Sequence, residues 1–241
     1  MTLPMFWGAV LVAYSVPASL FIFLIYPRMQ LFAPVVTFVF GVAAWILAMV
    51  ATSIIGCAFT SAPLILAISL VMLELFRFCL IYMYRVVQPV FARTSVNAVK
   101  FPVDDLSSSL AAGLGFATVQ AVVIFGSVVD SAVGPGMFSS QSCPNLPFFV
   151  SASITTFLQE ITQISLMVVA FAAVPDRMIH ARLAVALLPV VILHAVSVFA
   201  NELVASCTVA LPLQAVVAVL GAIMAAVATR RQSSRQHLKQ L

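Results

Sequence analysis

The sequence predicts an all-α fold: a polytopic membrane protein, a bundle of seven transmembrane helices with its amino terminus lumenal and its carboxyl terminus cytosolic. Three observations carry this reading. Hydrophobic residues make up 63% of the 241 and charged residues only 7%, with a mean hydropathy of +1.19, whereas soluble domains carry about 25% charged residues. Seven apolar runs each approach or exceed the roughly 20 residues that a bilayer crossing takes. The basic residues between those runs all fall on one side of the membrane when seven crossings are drawn, as the positive-inside rule requires.

The runs cover residues 5–26, 31–54, 63–87, 107–129, 148–173, 182–201 and 206–228. Pro27-Arg28, the Gly56 to Pro63 segment, Gln88 to Asp105, Gly134 to Pro147, Pro175 to Ala181 and a short break at Asn201-Glu202 separate them. One domain, residues 1–229, is expected, followed by a short basic cytosolic tail, 230–241. An error of one span would scramble the basic residues between the two sides. With seven, Arg28, Arg85, Arg93, Lys100, Arg177, Arg182, Arg230, Arg231, Arg235 and Lys239 share the cytosolic side. Arg77, inside the third run, is the eleventh basic residue. The net charge of +4 is thus topology signalling, and no nucleic-acid partner is expected.

The first run lacks a charged leader and a small-residue cleavage site, so it reads as a retained span. The third run carries Glu74 and Arg77 three residues apart, which places both on one helix face within reach of each other. A charge at the centre of a membrane helix costs roughly 2.5 to 3.5 kcal/mol on insertion scales, so this pair is expected to face the protein interior and to find further partners there.

In the fourth run Gly113, Ala117 and Ala121 recur every four residues, a flat strip that lets another helix approach closely. Gly134-Pro135-Gly136 then forces a sharp lumenal turn. The fifth run holds Thr155, Thr156, Gln159, Glu160, Thr162 and Gln163; Gln159, Glu160 and Gln163 share a face. Such density points to a bundle interior or a hydrated cavity. The sixth run adds His194, with Pro189 upstream as a kink. The tail from Thr229 has too few apolar residues to fold and is expected to be solvated, with attraction to anionic lipid.

Cys57, Cys79, Cys143 and Cys207 show neither CxxC nor metal-ligand spacing. They are read as mostly inert, with little expectation of a disulfide among those outside the membrane and the status of the lumenal ones left open. No metal, no cofactor and no small-molecule substrate are expected, and no Asn-x-Ser/Thr acceptor occurs.

Four local patterns together resemble the anterior pharynx-defective family, the seven-span scaffold subunit of γ-secretase. They are Phe6-Trp7-Gly8 with Tyr14, Pro17 and Trp45; Glu74-Leu75-Phe76-Arg77-Phe78; Gly113-Leu114-Gly115-Phe116 leading to Gly134-Pro135-Gly136; and His194. The chain departs from the family pattern at Ala117 and Ala121, where glycines are usual, at Gln163, where a histidine is usual, and at Leu73 in place of Gln. It looks like a divergent member.

The resemblance implies a non-catalytic subunit that assembles with presenilin, nicastrin and the presenilin enhancer in endoplasmic reticulum, Golgi and plasma membrane. It also implies an interior polar cluster of Glu74, Arg77, Gln163 and His194. To this we add Glu160 as a second carboxylate expected near Arg77.

Two other classes compete. A glutamate-dependent intramembrane protease of the prenyl-protein type would use Glu74 to activate water and His194 to stabilise the transition state. Gln163 cannot act as acid or base, and Leu73-Glu74 lacks the paired glutamates of such sites. No catalytic residue is therefore assigned. A seven-span receptor or transporter would use the intramembrane charges as a ligand or ion path, but the chain shows no internal repeat and only short cytosolic segments.

Overall fold

The computed structural model describes residues 3–28, 32–94, 105–129, 139–140, 143–174, 180–203 and 206–240. Seven helices follow one another: α1 Leu3–Leu20, α2 Phe32–Gly56, α3 Ala62–Thr94, α4 Asp105–Val129, α5 Phe148–Ala173, α6 His180–Leu203 and α7 Cys207–Gln240. Six of them contain apolar spans of 20 to 28 residues, and α6 contains a shorter apolar segment, Leu187–Ala200. All seven expected crossings have a helix, and the polytopic all-α class is the observed one.

Proline and local polarity set the boundaries. Pro34 and Pro63 sit in the first turns of α2 and α3, where their missing N–H is not needed. Pro17 lies inside α1, which gives way to a π-helical turn at Phe21–Ile25 and a 3-10 turn at Tyr26–Arg28. Pro147 immediately precedes α5. Gly134-Pro135-Gly136 lies outside the described residues.

Helix α5 occupies the middle and packs against α1, α4, α6 and α7. Two-thirds of its span is buried (67%), against 17% for α1. The span richest in polar residues is thus the one most enclosed. This follows from the solvent: lipid satisfies apolar surface, while buried polar groups need protein partners. Leu11, Phe23, Ile54, Val71 and Val219 accordingly face outward on the other helices.

Small residues let α4 pack between α2 and α5. A Cβ added at Gly41 would land on the carbonyl oxygen of Ala112, and one added at Gly115 on that of Phe38, so α2 and α4 touch backbone to backbone. On the other side of α4, a Cβ at Gly113 would lie 3.0 Å from Met167 Cβ and 3.1 Å from Ile164 Cα of α5. Gly113, Ala117 and Ala121 are all buried in this way. At Gly113 the close neighbour is this chain's own α5. The close α2–α4 crossing at Gly41 and Gly115 was not anticipated, although Gly115 lies two residues from Gly113 of the strip.

Two further expectations are corrected. Cys143 and Cys207 form a disulfide, with Cα atoms 5.2 Å apart, a normal bridging separation. Cys143 stands in the short antiparallel hairpin of β1 (Ser139–Ser140) and β2 (Cys143–Pro147), while Cys207 opens α7. Residues 64 apart in sequence met only through the fold. The basic tail is not irregular either, because α7 continues to Gln240. Extending an existing helix needs no new nucleus, and the Arg, Gln, Leu and Lys there are good helix formers.

Replacing Gly41 or Gly115 by Ala should destabilise the bundle by about 1 to 3 kcal/mol, since the obstructing atoms are backbone and cannot rotate away. Gly126→Ala, with nothing within 4 Å of the added carbon, is the control. Thermal unfolding in detergent measures the difference; equal melting of all three variants would refute the close crossing.

Candidate functional site: an intramembrane polar ring

Glu74 and Arg77 lie one turn apart on α3, and Arg77 Nη1 donates to Glu74 Oε1 at 2.6 Å. Arg77 Nη2 donates to Gln163 Oε1 of α5. Gln163 Nε2 is 2.9 Å from His194 Nε2 of α6, and His194 Nδ1 meets Glu74 Oε1. These four contacts close a ring across three helices. All four side chains are buried, Glu74 being the most exposed at 6%.

The donor inventory orders the ring. A guanidinium only donates, so the Gln163 atom facing Arg77 is its oxygen, and its amide nitrogen must turn to His194. That nitrogen donates, so His194 Nε2 accepts, leaving the ring proton on Nδ1 to be donated to Glu74. The imidazole is therefore neutral in this arrangement, and the ring carries one positive and one negative charge. Phe116 of α4 lies beneath the guanidinium, 5.3 Å from Cζ to the ring centroid, adding a cation–π contact.

Of the expected cluster, Glu74, Arg77, Gln163 and His194 are brought together. Glu160 is not. It is 2% exposed, yet neither carboxylate oxygen has a hydrogen-bond partner among the described residues. Gln159 also points elsewhere, its Oε1 accepting from Gln120 Nε2 of α4 at 3.2 Å. Gln159 and Gln163, four residues apart and so close to one face, nonetheless reach different helices, Gln159 meeting Gln120 of α4 and Gln163 meeting Arg77 of α3 and His194 of α6.

A second polar assembly, missed in the sequence, joins the ends of α3, α4 and α5. Arg85 Nη1 donates to Asp105 Oδ2 at 2.8 Å and to Gln88 Oε1 at 3.2 Å. Arg85 Nη2 donates to the carbonyls of Phe171 and Val174, at 3.1 and 3.2 Å. Tyr84 Oη and Gln88 Nε2 both donate to Asp105 Oδ1. Carbonyls in the last turn of a helix lack partners within it, and a guanidinium fork suits several acceptors at once. The usable signal was an Arg and a Gln three residues apart facing the acid that opens the next helix.

Among the described residues no group of His, Cys, Asp and Glu could hold a metal ion. A cavity of about 700 Å³ lies on the outer face of the bundle, bordered by Leu11, Val12 and Ser15 of α1, Phe157 and Leu158 of α5, and Leu211, Pro212 and Ala215 of α7. It is apolar and separate from the ring, and Ser15 Oγ is already bonded to the carbonyl of Val12.

These features define a multi-spanning α-helical membrane protein whose interior is held by a charged ring. Comparison with known families makes it specific: residues 4–232 match the Aph-1 family, described as Aph-1 protein. The chain belongs to that family, and membership supports a γ-secretase subunit role. Among curated proteins none matches the chain significantly.

Removing one member of a buried ion pair strands the other at a cost of about 3 to 5 kcal/mol. Arg77→Met should therefore destabilise more than the double variant Glu74→Leu/Arg77→Met, and Glu160→Leu should be neutral or stabilising. Unfolding midpoints in detergent decide both points. A Glu160→Leu loss as large as that of Arg77→Met would show that Glu160 has a partner.

Proposed function

We propose that this protein is a non-catalytic scaffold subunit of γ-secretase, assembling and stabilising presenilin, nicastrin and the presenilin enhancer for cleavage of single-span membrane proteins. The family match over residues 4–232 carries this reading. The ring supports it. Both partners of Glu74 are groups of this same chain, and His194 is tied between Glu74 and Gln163. Both Glu74 contacts fall on Oε1, with Oε2 buried and unpartnered among the described residues, and the ring they close fixes the relative positions of α3, α5 and α6. A general base, by contrast, has to reach a substrate proton directly or through one water.

We further place the amino terminus in the lumen and the carboxyl terminus in the cytosol. The one-sided distribution of basic residues supports this. The apolar cavity between α1, α5 and α7 is assigned to a partner's single membrane helix. It is the place where α5, the helix that anchors the interior, reaches the surface, and its lining suits apolar side chains without charge or spare hydrogen-bonding capacity. Presence in endoplasmic reticulum, Golgi and plasma membrane follows from the same reading.

Purifying the tagged protein from native membranes in mild detergent is expected to retain presenilin-like and nicastrin-like proteins, identified by mass spectrometry. Recovery of the chain alone, where other membrane complexes survive, would overturn the scaffold reading. Ala215→Trp, which fills the cavity, should selectively deplete one single-span partner. Retention of every partner would assign the cavity to lipid.

A further inference from the structure

We propose that the Cys143–Cys207 disulfide is a covalent lock on the membrane crossing of α6, made on the lumenal side once that crossing is complete. Cys143 precedes α5 and Cys207 opens α7, so the chain between them contains one crossing by α5 and whatever α6 does. If α6 crosses, both sulfurs return to the same side. If α6 fails to cross, they end on opposite sides and cannot meet. The observed bond therefore requires a spanning α6.

Helix α6 is the crossing most in need of a lock. Its stretch free of charged and amide side chains, from Leu183 to Ala200 between Arg182 and Asn201, spans about 27 Å at 1.5 Å per residue, slightly short of the roughly 30 Å hydrocarbon core. Pro189 lies inside it, removing one backbone N–H donor from the helix. His194 and Ser197 within it are buried in the bundle, so they favour insertion only after neighbouring helices are in place. The polar ring, in turn, closes only when α6 delivers His194 to Glu74 and Gln163.

The side is set by chemistry. Disulfides form and persist in oxidising compartments, and Cys143 and Cys207 lie on the side opposite the basic loops. The oxidant class is a disulfide-carrying thiol oxidoreductase of the secretory lumen. One thiolate attacks the donor's disulfide, giving a mixed disulfide. The second thiolate displaces the donor. The two cysteines lose two protons and two electrons in total, and the donor leaves as a dithiol.

The test uses the full chain with Cys57→Ala and Cys79→Ala, which removes the two free thiols. In microsomes with the cytosolic face outward, solubilised after thiol blocking, no polyethylene-glycol maleimide should add before reduction and two should add after it. Two free thiols without reduction would overturn the proposal. Adding Cys143→Ser leaves Cys207 as the single reporter of α6. An impermeant maleimide supplied to intact microsomes is expected to label it severalfold more than in the bonded chain reduced immediately beforehand with a permeable reductant. Equal protection would show that α6 crosses unaided and that the bond locks nothing. Lengthening the apolar run with Asn201→Leu/Glu202→Leu should restore protection to the Cys143→Ser chain, or restore its abundance if that chain is degraded. Failure to restore either would overturn the marginal-crossing argument.

Discussion

A guanidinium carried to bilayer depth cannot be left without partners, and the interior is arranged around that requirement. Arg77 is 1% exposed. Its counter-ion comes from its own helix, its second acceptor from α5, and the neighbour that completes the ring from α6. Apolar helices in lipid gain little from contact with one another, because lipid tails are as apolar as leucine. A charge pair restricted to one geometry discriminates where leucine cannot. The ring thus sets the rotation of three helices, and direct packing of α3 on α5 is otherwise slight.

The small residues of α4 serve the same end. With Gly41 and Gly115 allowing α2 to touch α4, and Gly113 allowing α4 to touch α5, Phe116 is carried beneath the guanidinium. Larger side chains on either face would widen the gap between helices and reduce the dispersion contacts that are the main gain from helix packing in lipid. At the ends of α3, α4 and α5, Arg85 and Asp105 repeat the logic in a wetter setting. One ion pair holds three helix ends and caps the final carbonyls of α5.

Gln163 links α5 into the ring without carrying a charge. An amide offers one acceptor and two donors, enough to accept from Arg77 and donate to His194 without taking a charge. Glu160 stands apart as a buried carboxyl outside this network, and the family match gives it no role.

Much was legible from the residues alone. Hydropathy located seven helices, with the α5 limits of 148 and 173 reproduced, and the three-residue spacing of Glu74 and Arg77 foretold their contact. These are properties of one chain against one solvent: apolar length decides whether a segment can cross, and spacing decides which residues share its face. The sequence did not say which helix each face would meet. Gly113, Ala117 and Ala121 signalled close approach but not that α5 makes it; Gln159 and Glu160 looked equivalent to Gln163 yet turned to other neighbours; and Cys143 found Cys207 across two intervening helices. Those outcomes depend on the rotation of each helix and its neighbours in the bundle. Only the tertiary structure sets them, because many helix arrangements satisfy the same hydropathy and few bring Glu74, Arg77, Gln163 and His194 within hydrogen-bonding reach of one another.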